Sequence, residues 1–212
     1  MTNQSAIRAI LARGAVMPIL TIEDADSAAP IARALVAGGV MTFEVVLRTP
    51  AALDAVRAMI AAVPEASVGV GTLLTADQVA AAAAAGAAFG VSPGLTPALA
   101  AAVTAHRLPF LPGVQTASEV MLAREAGFLA QKLFPASVVG GLAWLDSLAP
   151  VFADVVFCPT GGIRADDIPD YLARPNCVTV GGSWVVPKAL VAARDWAGIE
   201  ALARRASAFR KA

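Results

Sequence analysis

Short apolar runs alternate along the chain with longer alanine-rich segments of helical period. The apolar runs recur about every 20 to 25 residues, the length of one βα unit, so each is interpreted as a strand followed by a helix. An extra helix, Gln4–Arg13, precedes the first strand, and a final helix covers about Asp195–Arg210. The eight predicted strands are Val16–Leu20, Thr42–Val46, Ser67–Val70, Phe89–Ser92, Phe110–Pro112, Ala130–Phe134, Asp154–Cys158 and Val178–Val180.

Capping patterns mark where several of the helices begin and end. Thr75 with Gln78, and Thr116 with Glu119, fit the capping box, in which a hydroxyl accepts from a helix N–H and the later side chain reaches back. Glycine is expected where helices end, because it tolerates the left-handed conformation of the C-cap. The glycines at such positions are Gly38, Gly39, Gly86 and Gly127.

Eight βα units in series predict an α/β fold with a parallel sheet and right-handed crossovers. We expect a single domain over residues 1–212, a (β/α)8 TIM barrel with an extra N-terminal helix, because closure removes the edge strands. The alternative is an open doubly wound sheet, which would place a glycine-rich turn after the first strand. That turn, Thr21–Asp24, contains no glycine, whereas glycine pairs follow the last two strands.

Composition narrows the range of partners. Of the 212 residues, 58% are hydrophobic, and 16 basic side chains balance 16 acidic ones. Without a basic excess we expect no binding to nucleic acid or to a membrane surface, and no long uncharged apolar run predicts a membrane span. The two cysteines argue against a disulfide framework, and the single histidine argues against a metal site built from several histidines. No signal peptide is recognisable, so we expect a cytoplasmic protein.

The glycine pairs lie in Thr160–Gly162 and Gly181–Ser183, directly after the seventh and eighth strands. In barrels of this kind the loops at these two positions often bind phosphate, because bare backbone N–H groups and a helix N-terminus face the anion. A glycine pair also makes an ordinary tight turn. Two pairs at these two positions favour a phosphate site, and therefore a sugar-phosphate substrate.

Lys132 lies inside the apolar sixth strand, and Ala130 and Phe134 share its face. A lysine that points into a barrel loses hydration, which favours the neutral amine, a nucleophile. The alternative is a lysine whose ammonium reaches water or pairs with an acid. The pattern alone leaves both interpretations open.

The second strand and its end carry two charged residues, Glu44 and Arg48. Glu44 shares a face with Thr42 and Val46 and is expected to point inward, whereas Arg48 follows at the carboxyl end, where barrel enzymes place their chemistry. A buried carboxylate needs a partner, and Lys132 is the candidate. The two form either a structural ion pair or a nucleophile beside a general acid/base, with Arg48 binding a substrate carboxylate.

Two further positions lie at the same predicted mouth. Thr72 follows the third strand and Pro93 follows the fourth, and both are interpreted first as turn residues. Cys158, within the seventh strand, predicts a buried and inert thiol. None of these three residues identifies a chemistry by itself.

Seven motifs, in order and with matching separations, carry a resemblance to a known family. From about Val16 to Pro187 the chain resembles bacterial 2-keto-3-deoxy-6-phosphogluconate (KDPG) aldolases, also called 2-keto-4-hydroxyglutarate (KHG) aldolases. It departs from their pattern at Leu133, where phenylalanine is frequent, and at Ala136–Val139, a more apolar segment that bears on substrate preference. The motifs are Ala34–Val40, Phe43–Thr49, Gly69–Thr72, Val91–Thr96, Lys132–Pro135, Phe157–Gly162 and Gly181–Val185.

The resemblance implies a class I (Schiff-base) aldolase, a homotrimer that needs no metal or other cofactor. Its expected substrate is a 2-keto-3-deoxy sugar acid phosphate, KDPG, cleaved to pyruvate and D-glyceraldehyde 3-phosphate, with 4-hydroxy-2-oxoglutarate cleaved as well. Lys132 matches the Schiff-base lysine and Glu44 matches the acid/base carboxylate. The residues matched to substrate binding are Arg48 and Thr72 at the pyruvate carboxylate, Pro93 and Phe134 around the pyruvyl group, and Thr160, Gly161, Gly162, Gly182 and Ser183 at the phosphate.

Three alternatives stay open at the level of sequence. One is an aldolase for the galactonate epimer, which would use the same imine chemistry. Another is a phosphate-binding barrel isomerase, with Glu44 as the proton-transfer base and Lys132 acting only through its charge. The third is a non-catalytic phosphosugar-binding module in which Lys132 and Glu44 form a structural pair. A common fold does not separate these functions.

Overall fold

The computed structural model of the protein describes residues 3–209. Strands and helices alternate along this part of the chain, as the hydrophobic pattern predicts. The strands are β1 (Val16–Leu20), β2 (Thr42–Val46), β3 (Ser67–Gly71), β4 (Phe89–Val91), β5 (Phe110–Leu111), β6 (Gly113–Val114), β7 (Ala130–Leu133), β8 (Val156–Pro159) and β9 (Val180–Gly182). The helices are α1 (Asn3–Leu11), α2 (Ala28–Ala37), α3 (Ala52–Ala62), α4 (Ala76–Ala84), α5 (Pro97–Ala105), α6 (Ala117–Glu125), α7 (Gly141–Leu148), α8 (Ile168–Leu172), α9 (Lys188–Ala192) and α10 (Trp196–Ala208).

Each predicted strand overlaps an observed one, with β1 and β2 at their predicted bounds and the others displaced by one or two residues at one end or, for β8 and β9, at both ends. The predicted N-terminal helix is α1, and the predicted final helix is α10. Arg210, the expected last residue of that helix, lies outside the described residues. Among residues 3–209, none of the helices combines the length and the apolar character needed to cross a membrane.

The prediction of a closed (β/α)8 TIM barrel is wrong, because the strands form two separate sheets. One sheet has six parallel strands in the order β5-β4-β3-β2-β1-β9, and the other has three in the order β6-β7-β8. The first break falls at Pro112, the last residue of the fifth predicted strand, which separates β5 from β6 because proline has no N–H to donate to a ladder. The second break lies between β8 and β9, where only isolated bridges form, at Phe157–Cys177 and Thr160–Gly181.

Helix α1 lies across the amino-terminal end of the strands. The Gln4 side-chain carbonyl accepts a hydrogen bond from the backbone N–H of Leu129, just before β7, at 2.8 Å. Ile7 and Leu11 are fully buried in the inner cluster that Phe89 and Cys158 also join. Because α1 covers the amino-terminal end, the interior is accessible from the carboxyl ends of the strands.

The local boundary predictions hold with one exception. Both capping boxes form, Thr75 with Gln78 and Thr116 with Glu119. Gly39, Gly86 and Gly127 adopt positive φ angles of 87°, 85° and 88° after their helices, as expected of left-handed C-caps. Gly38 does not, with φ −80°. Its role is close packing, because a Cβ there would lie 2.8 Å from the Glu200 carbonyl of α10.

Candidate active site

The charged residues predicted on the second and sixth strands meet inside the molecule. Lys132 on β7 and Glu44 on β2 form an ion pair, with Nζ and Oε1 3.4 Å apart. Their side chains are 8% and 0% exposed. The other carboxylate oxygen, Glu44 Oε2, is buried without a hydrogen-bond partner among the described residues. A buried charge is stable only when it is paired, and each of these two side chains is the partner of the other.

Alternation along β7 fixes the direction of Lys132. Its neighbour Gln131 points away from the interior and donates hydrogen bonds to the carbonyls of Val120 and Phe128, at 3.2 and 2.8 Å. Successive side chains of a strand point to opposite faces, so Lys132 is directed inward. The ring of Phe134 lies next to it, with its centroid 5.2 Å from Nζ.

A cavity of about 150 Å³ lies beside Lys132 at the carboxyl ends of the strands. It brings together most of the residues predicted for the site. Those that line it are Arg48, Lys132, Phe134, Thr160, Gly161, Gly162, Gly182 and Ser183. Glu44 contacts this group through Lys132 rather than by lining the cavity.

Two predicted site residues, Thr72 and Pro93, do not line the cavity. Thr72 directly follows β3 and has a φ of 62°, a left-handed conformation that β-branched residues seldom adopt. The backbone of Pro93 packs so closely against Gly113 that a Cβ at Gly113 would lie 2.8 Å from the Ser92 carbonyl oxygen and closer still to Pro93. Neither Thr72 nor Pro93 therefore contributes to the lining of the cavity.

Sequence reasoning missed the cavity-lining residues Ile19 and Ile163, and it singled out Gly181 only as one member of a glycine pair. The isoleucines resemble ordinary core residues, so nothing in the pattern distinguishes them. Gly181 gave a usable signal, since a glycine inside a buried strand often marks a close approach. A Cβ at Gly181 would overlap Thr160 Oγ1 and lie 3.0 Å from its Cγ2.

The electrostatics of the interior are dominated by the Lys132–Glu44 pair. Cys158 lies beside Lys132 in the ladder of β7 and β8, and burial raises the pKa of its thiol to about 12. The thiol is 0% exposed, which confirms the predicted burial of this cysteine. Arg48 is exposed and forms no ion pair with a described carboxylate, so its positive charge faces the cavity mouth.

Within residues 3–209, no group of three histidine, cysteine, aspartate or glutamate side chains is arranged to hold a metal ion. The groups available for chemistry at the cavity are an amine, a carboxylate, a guanidinium and hydroxyls. Such a set suits nucleophilic and proton-transfer chemistry.

Fold and site together define a parallel α/β enzyme with a buried lysine at a glycine-rimmed cavity. The sequence model of the KDPG and KHG aldolase family matches residues 7–202. The chain is 45% identical over 203 residues to the KHG/KDPG aldolase of Escherichia coli (strain K12), covering 96% of this chain and 95% of that one. This chain therefore belongs to the KDPG and KHG aldolase family, which makes it a carbon–carbon lyase and confirms the resemblance.

Two solved structures have the same fold. The crystal structure of the 2-keto-3-deoxy-6-phosphogluconate aldolase of Zymomonas mobilis ZM4 with 3-phosphoglycerate is similar with a TM-score of 0.94 and 48% identity, covering 99% of this chain and 98% of that one. The KDPG aldolase of Legionella pneumophila, with pyruvate captured at low pH as a covalent carbinolamine intermediate, is similar with a TM-score of 0.93 and 39% identity. That likeness covers 95% of this chain and 98% of the Legionella chain.

Proposed function

We propose that this enzyme is a class I aldolase that cleaves KDPG to pyruvate and D-glyceraldehyde 3-phosphate through an imine on Lys132. The observation that carries this proposal is the buried contact of 3.4 Å between Lys132 Nζ and Glu44 Oε1, beside a cavity rimmed by glycines. The Escherichia coli relative is named for both KHG and KDPG, so we extend the activity to 4-hydroxy-2-oxoglutarate, cleaved to pyruvate and glyoxylate. The carbinolamine captured in the Legionella enzyme supports the covalent route.

Imine formation begins within the ion pair. Transfer of one proton from Lys132 to Glu44 yields a neutral amine and a carboxylic acid. The amine adds to the C2 carbonyl of the substrate, and a proton passes from the nitrogen to the carbonyl oxygen to give a carbinolamine. Glu44 then returns its proton to the new hydroxyl, which leaves as water. The product is a protonated imine, whose positive charge accepts electrons in the next step.

Cleavage uses the imine as an electron sink. Glu44, now ionised again, removes the proton of the C4 hydroxyl, and the C3–C4 bond pair moves into an enamine as the aldehyde leaves. A positioned base of this kind contributes about 10²–10⁴-fold to the rate. Protonation of the enamine at C3 and hydrolysis of the imine release pyruvate and restore Lys132.

The two ends of the substrate are assigned to different parts of the cavity. Arg48 supplies the cation for the pyruvyl carboxylate, and Phe134 packs against the pyruvyl carbons beside Lys132. The assignments of Thr72 and Pro93 to the same end rest on family resemblance alone, since neither lines the cavity. The residues assigned to the phosphate are Thr160, Gly161, Gly162, Gly182 and Ser183.

The homotrimer expected from the resemblance is part of this proposal. Large apolar side chains are exposed on the surface, among them Met121 and Leu122 on α6, at 54% and 62%, and an assembly would cover side chains of this kind. Two other expectations stay predictions, namely the cytoplasmic location and the single domain over residues 1–212.

The decisive experiment is reductive trapping of the imine. The protein is incubated with pyruvate and borohydride, and the intact mass and the modified peptide are determined. The sequence contains three lysines, of which Lys132 alone lies at the cavity among the described ones. We expect one reduced pyruvyl group on Lys132, and none in Lys132→Ala.

Lys188→Ala is the matched control, because Lys188 is an exposed lysine paired with Glu23 on the surface. This variant should trap pyruvate as the wild type does. Folded wild-type protein that binds pyruvate without forming an adduct would exclude the imine and favour the isomerase or the binding module. If the adduct forms, comparing kcat/KM for the gluconate and galactonate epimers decides between the two aldolase substrates.

A further inference from the structure

Strand β3 carries two glycines, Gly69 and Gly71, on the face that points into the interior. In a parallel sheet buried on both sides such positions are usually filled by large apolar side chains. Here each glycine is covered by a side chain of a neighbouring strand. The Phe89 ring of β4 lies over Gly69, and the Glu44 carboxylate of β2 lies over Gly71.

The space above Gly71 is taken up entirely by Glu44. A Cβ built on Gly71 would lie 2.5 Å from Glu44 Cδ and 2.7 Å from Cγ, and would overlap Oε1. Non-bonded carbons prefer separations of about 3.5–4.0 Å, so alanine at this position and the present Glu44 conformation exclude each other. Gly71 lies within an ordinary strand, so the requirement is for space and not for an unusual backbone angle.

The backbone at Gly71 is held on both sides and does not yield easily to an added methyl group. Gly71 pairs with Val46 in the β2–β3 ladder, and its carbonyl accepts a hydrogen bond from the Leu47 N–H at 2.9 Å. Two residues later, the Leu73 N–H donates to the Val91 carbonyl at 3.0 Å. A larger residue at position 71 therefore displaces the Glu44 side chain before it displaces the strand.

We infer that Gly71 is a positioning residue for the aldolase reaction. Because Gly71 has no side chain, the Glu44 carboxylate can lie over its α-carbon, and in this position Glu44 Oε1 is 3.4 Å from Lys132 Nζ. This inference rests on the proposed function of Glu44 as the acid/base. Gly71 touches no reacting atom and acts only through the carboxylate. Displacing that carboxylate lengthens the path for proton transfer, whereas the strand that carries Lys132 and the residues that rim the cavity keep their positions.

The test compares Gly71→Ala, Glu44→Gln and the double variant G71A/E44Q in steady-state cleavage of KDPG. We expect Gly71→Ala to lower kcat about 10²-fold or more, in the range set by a positioned base, with a much smaller change in KM. The double variant should have the kcat of Glu44→Gln alone, because both changes remove the same contribution. A kcat for Gly71→Ala close to that of the wild type, or losses that multiply in the double variant, would overturn the inference.

Gly69→Ala is the matched control, since it adds the same methyl group to the same face of the same strand. Its Cβ meets Phe89 rather than Glu44. We expect lower thermal stability but a nearly unchanged kcat for the folded enzyme. If Gly69→Ala lowers kcat as far as Gly71→Ala does, a methyl group anywhere on this face of β3 lowers kcat, and Gly71 has no specific role.

A second pair of variants covers the case in which Gly71→Ala does not fold. Glu44→Ala removes the group that the new methyl meets, so G71A/E44A should be as stable as Glu44→Ala alone. Failure of Glu44→Ala to restore folding would contradict the proposed packing.

Trapping of pyruvate by the wild type distinguishes failure of the proposed function from failure of the inference about Gly71. Absence of the adduct would refute the aldolase function. A normal adduct, together with a wild-type kcat for Gly71→Ala, would refute only the inference.

Discussion

At the scale of single residues, the informative feature is a charged side chain in a position that the pattern marks as buried. Lys132 and Glu44 each interrupt an apolar strand, and the structure joins them over a separation of 88 residues. Removing one partner of a buried pair leaves an uncompensated charge, at a cost of about 3–5 kcal/mol. Variants at either position therefore report on stability as well as on catalysis, and both must be measured.

Cys158 allows a prediction about alkaline stability. Burial raises the pKa of its thiol from an ordinary value of 9.0 to about 12. Between these values the unfolded chain releases the thiol proton while the folded protein keeps it, so stability falls as the pH rises above 9. We expect a loss of about 1.4 kcal/mol per pH unit from this group, measured by urea unfolding from pH 7 to pH 10.5.

The control for this prediction is Cys158→Ala, which removes the titrating thiol. Its unfolding free energy should be lower at pH 7, because a small cavity remains, but should depend less steeply on pH above 9. Burial also raises the pKa of Tyr171, which is present in both proteins, so the difference between them isolates Cys158. Equal slopes for the two proteins would show that the thiol does not titrate in this way.

At the scale of elements, helix caps are the local feature that the sequence specifies most directly. Thr116 begins α6 with a complete capping box, in which its hydroxyl accepts from the Glu119 N–H. The substitution Thr116→Ala should cost about 1 kcal/mol. For a chain of this size that lowers Tm by roughly 2–4 °C, which differential scanning calorimetry measures.

Thr104→Ala serves as the comparison for the capping prediction. The Thr104 hydroxyl donates to the Ala100 carbonyl within α5 and caps no helix N-terminus. Alanine is a better helix former than threonine, so this variant should keep or slightly raise Tm. A drop in Tm as large as that of Thr116→Ala would mean that the capping box contributes nothing specific.

At the scale of the whole molecule, the site depends on two sheets that are not continuously paired. Lys132 comes from the three-stranded sheet, whereas Glu44 and Gly182 come from the six-stranded sheet. The break between β8 and β9 lies beside the cavity, at the isolated bridge between Thr160 and Gly181. The cavity is therefore lined from both sheets, and under the proposed function the imine would form on one sheet and part of the phosphate would be bound by the other.

The phosphate end can be tested separately from the chemistry. Ser183 lies at the cavity, directly after β9, and we expect Ser183→Ala to lower kcat/KM for KDPG about 10-fold, as loss of a hydrogen bond to a charged group does. Cleavage of 4-hydroxy-2-oxoglutarate, which has no phosphate, should change little. The control is Ser147→Ala, because the Ser147 hydroxyl donates to Ala143 within α7, outside the cavity. Equal losses on both substrates would remove Ser183 from the phosphate site.

Much of the fold was predictable because its determinants are local. The apolar period placed the strands, the capping boxes placed two helix starts, and glycines with positive φ ended three helices. The pattern did not predict that the sheet is interrupted. Pro112 was assigned to the end of a strand, and only the arrangement of the neighbouring strands shows that pairing stops on one side of it and resumes on the other.

The sequence by itself determined the residue types available for chemistry, because a lysine and a glutamate inside buried strands must be paired or functional. Tertiary structure alone decided that they lie 3.4 Å apart, that Thr72 and Pro93 fall outside the cavity lining, and that Ile19 and Ile163 fall within it. Such distances depend on the relative placement of strands far apart in the chain. The contact between Gly71 and the Glu44 side chain likewise depends on tertiary structure, because it forms only where β2 and β3 pair.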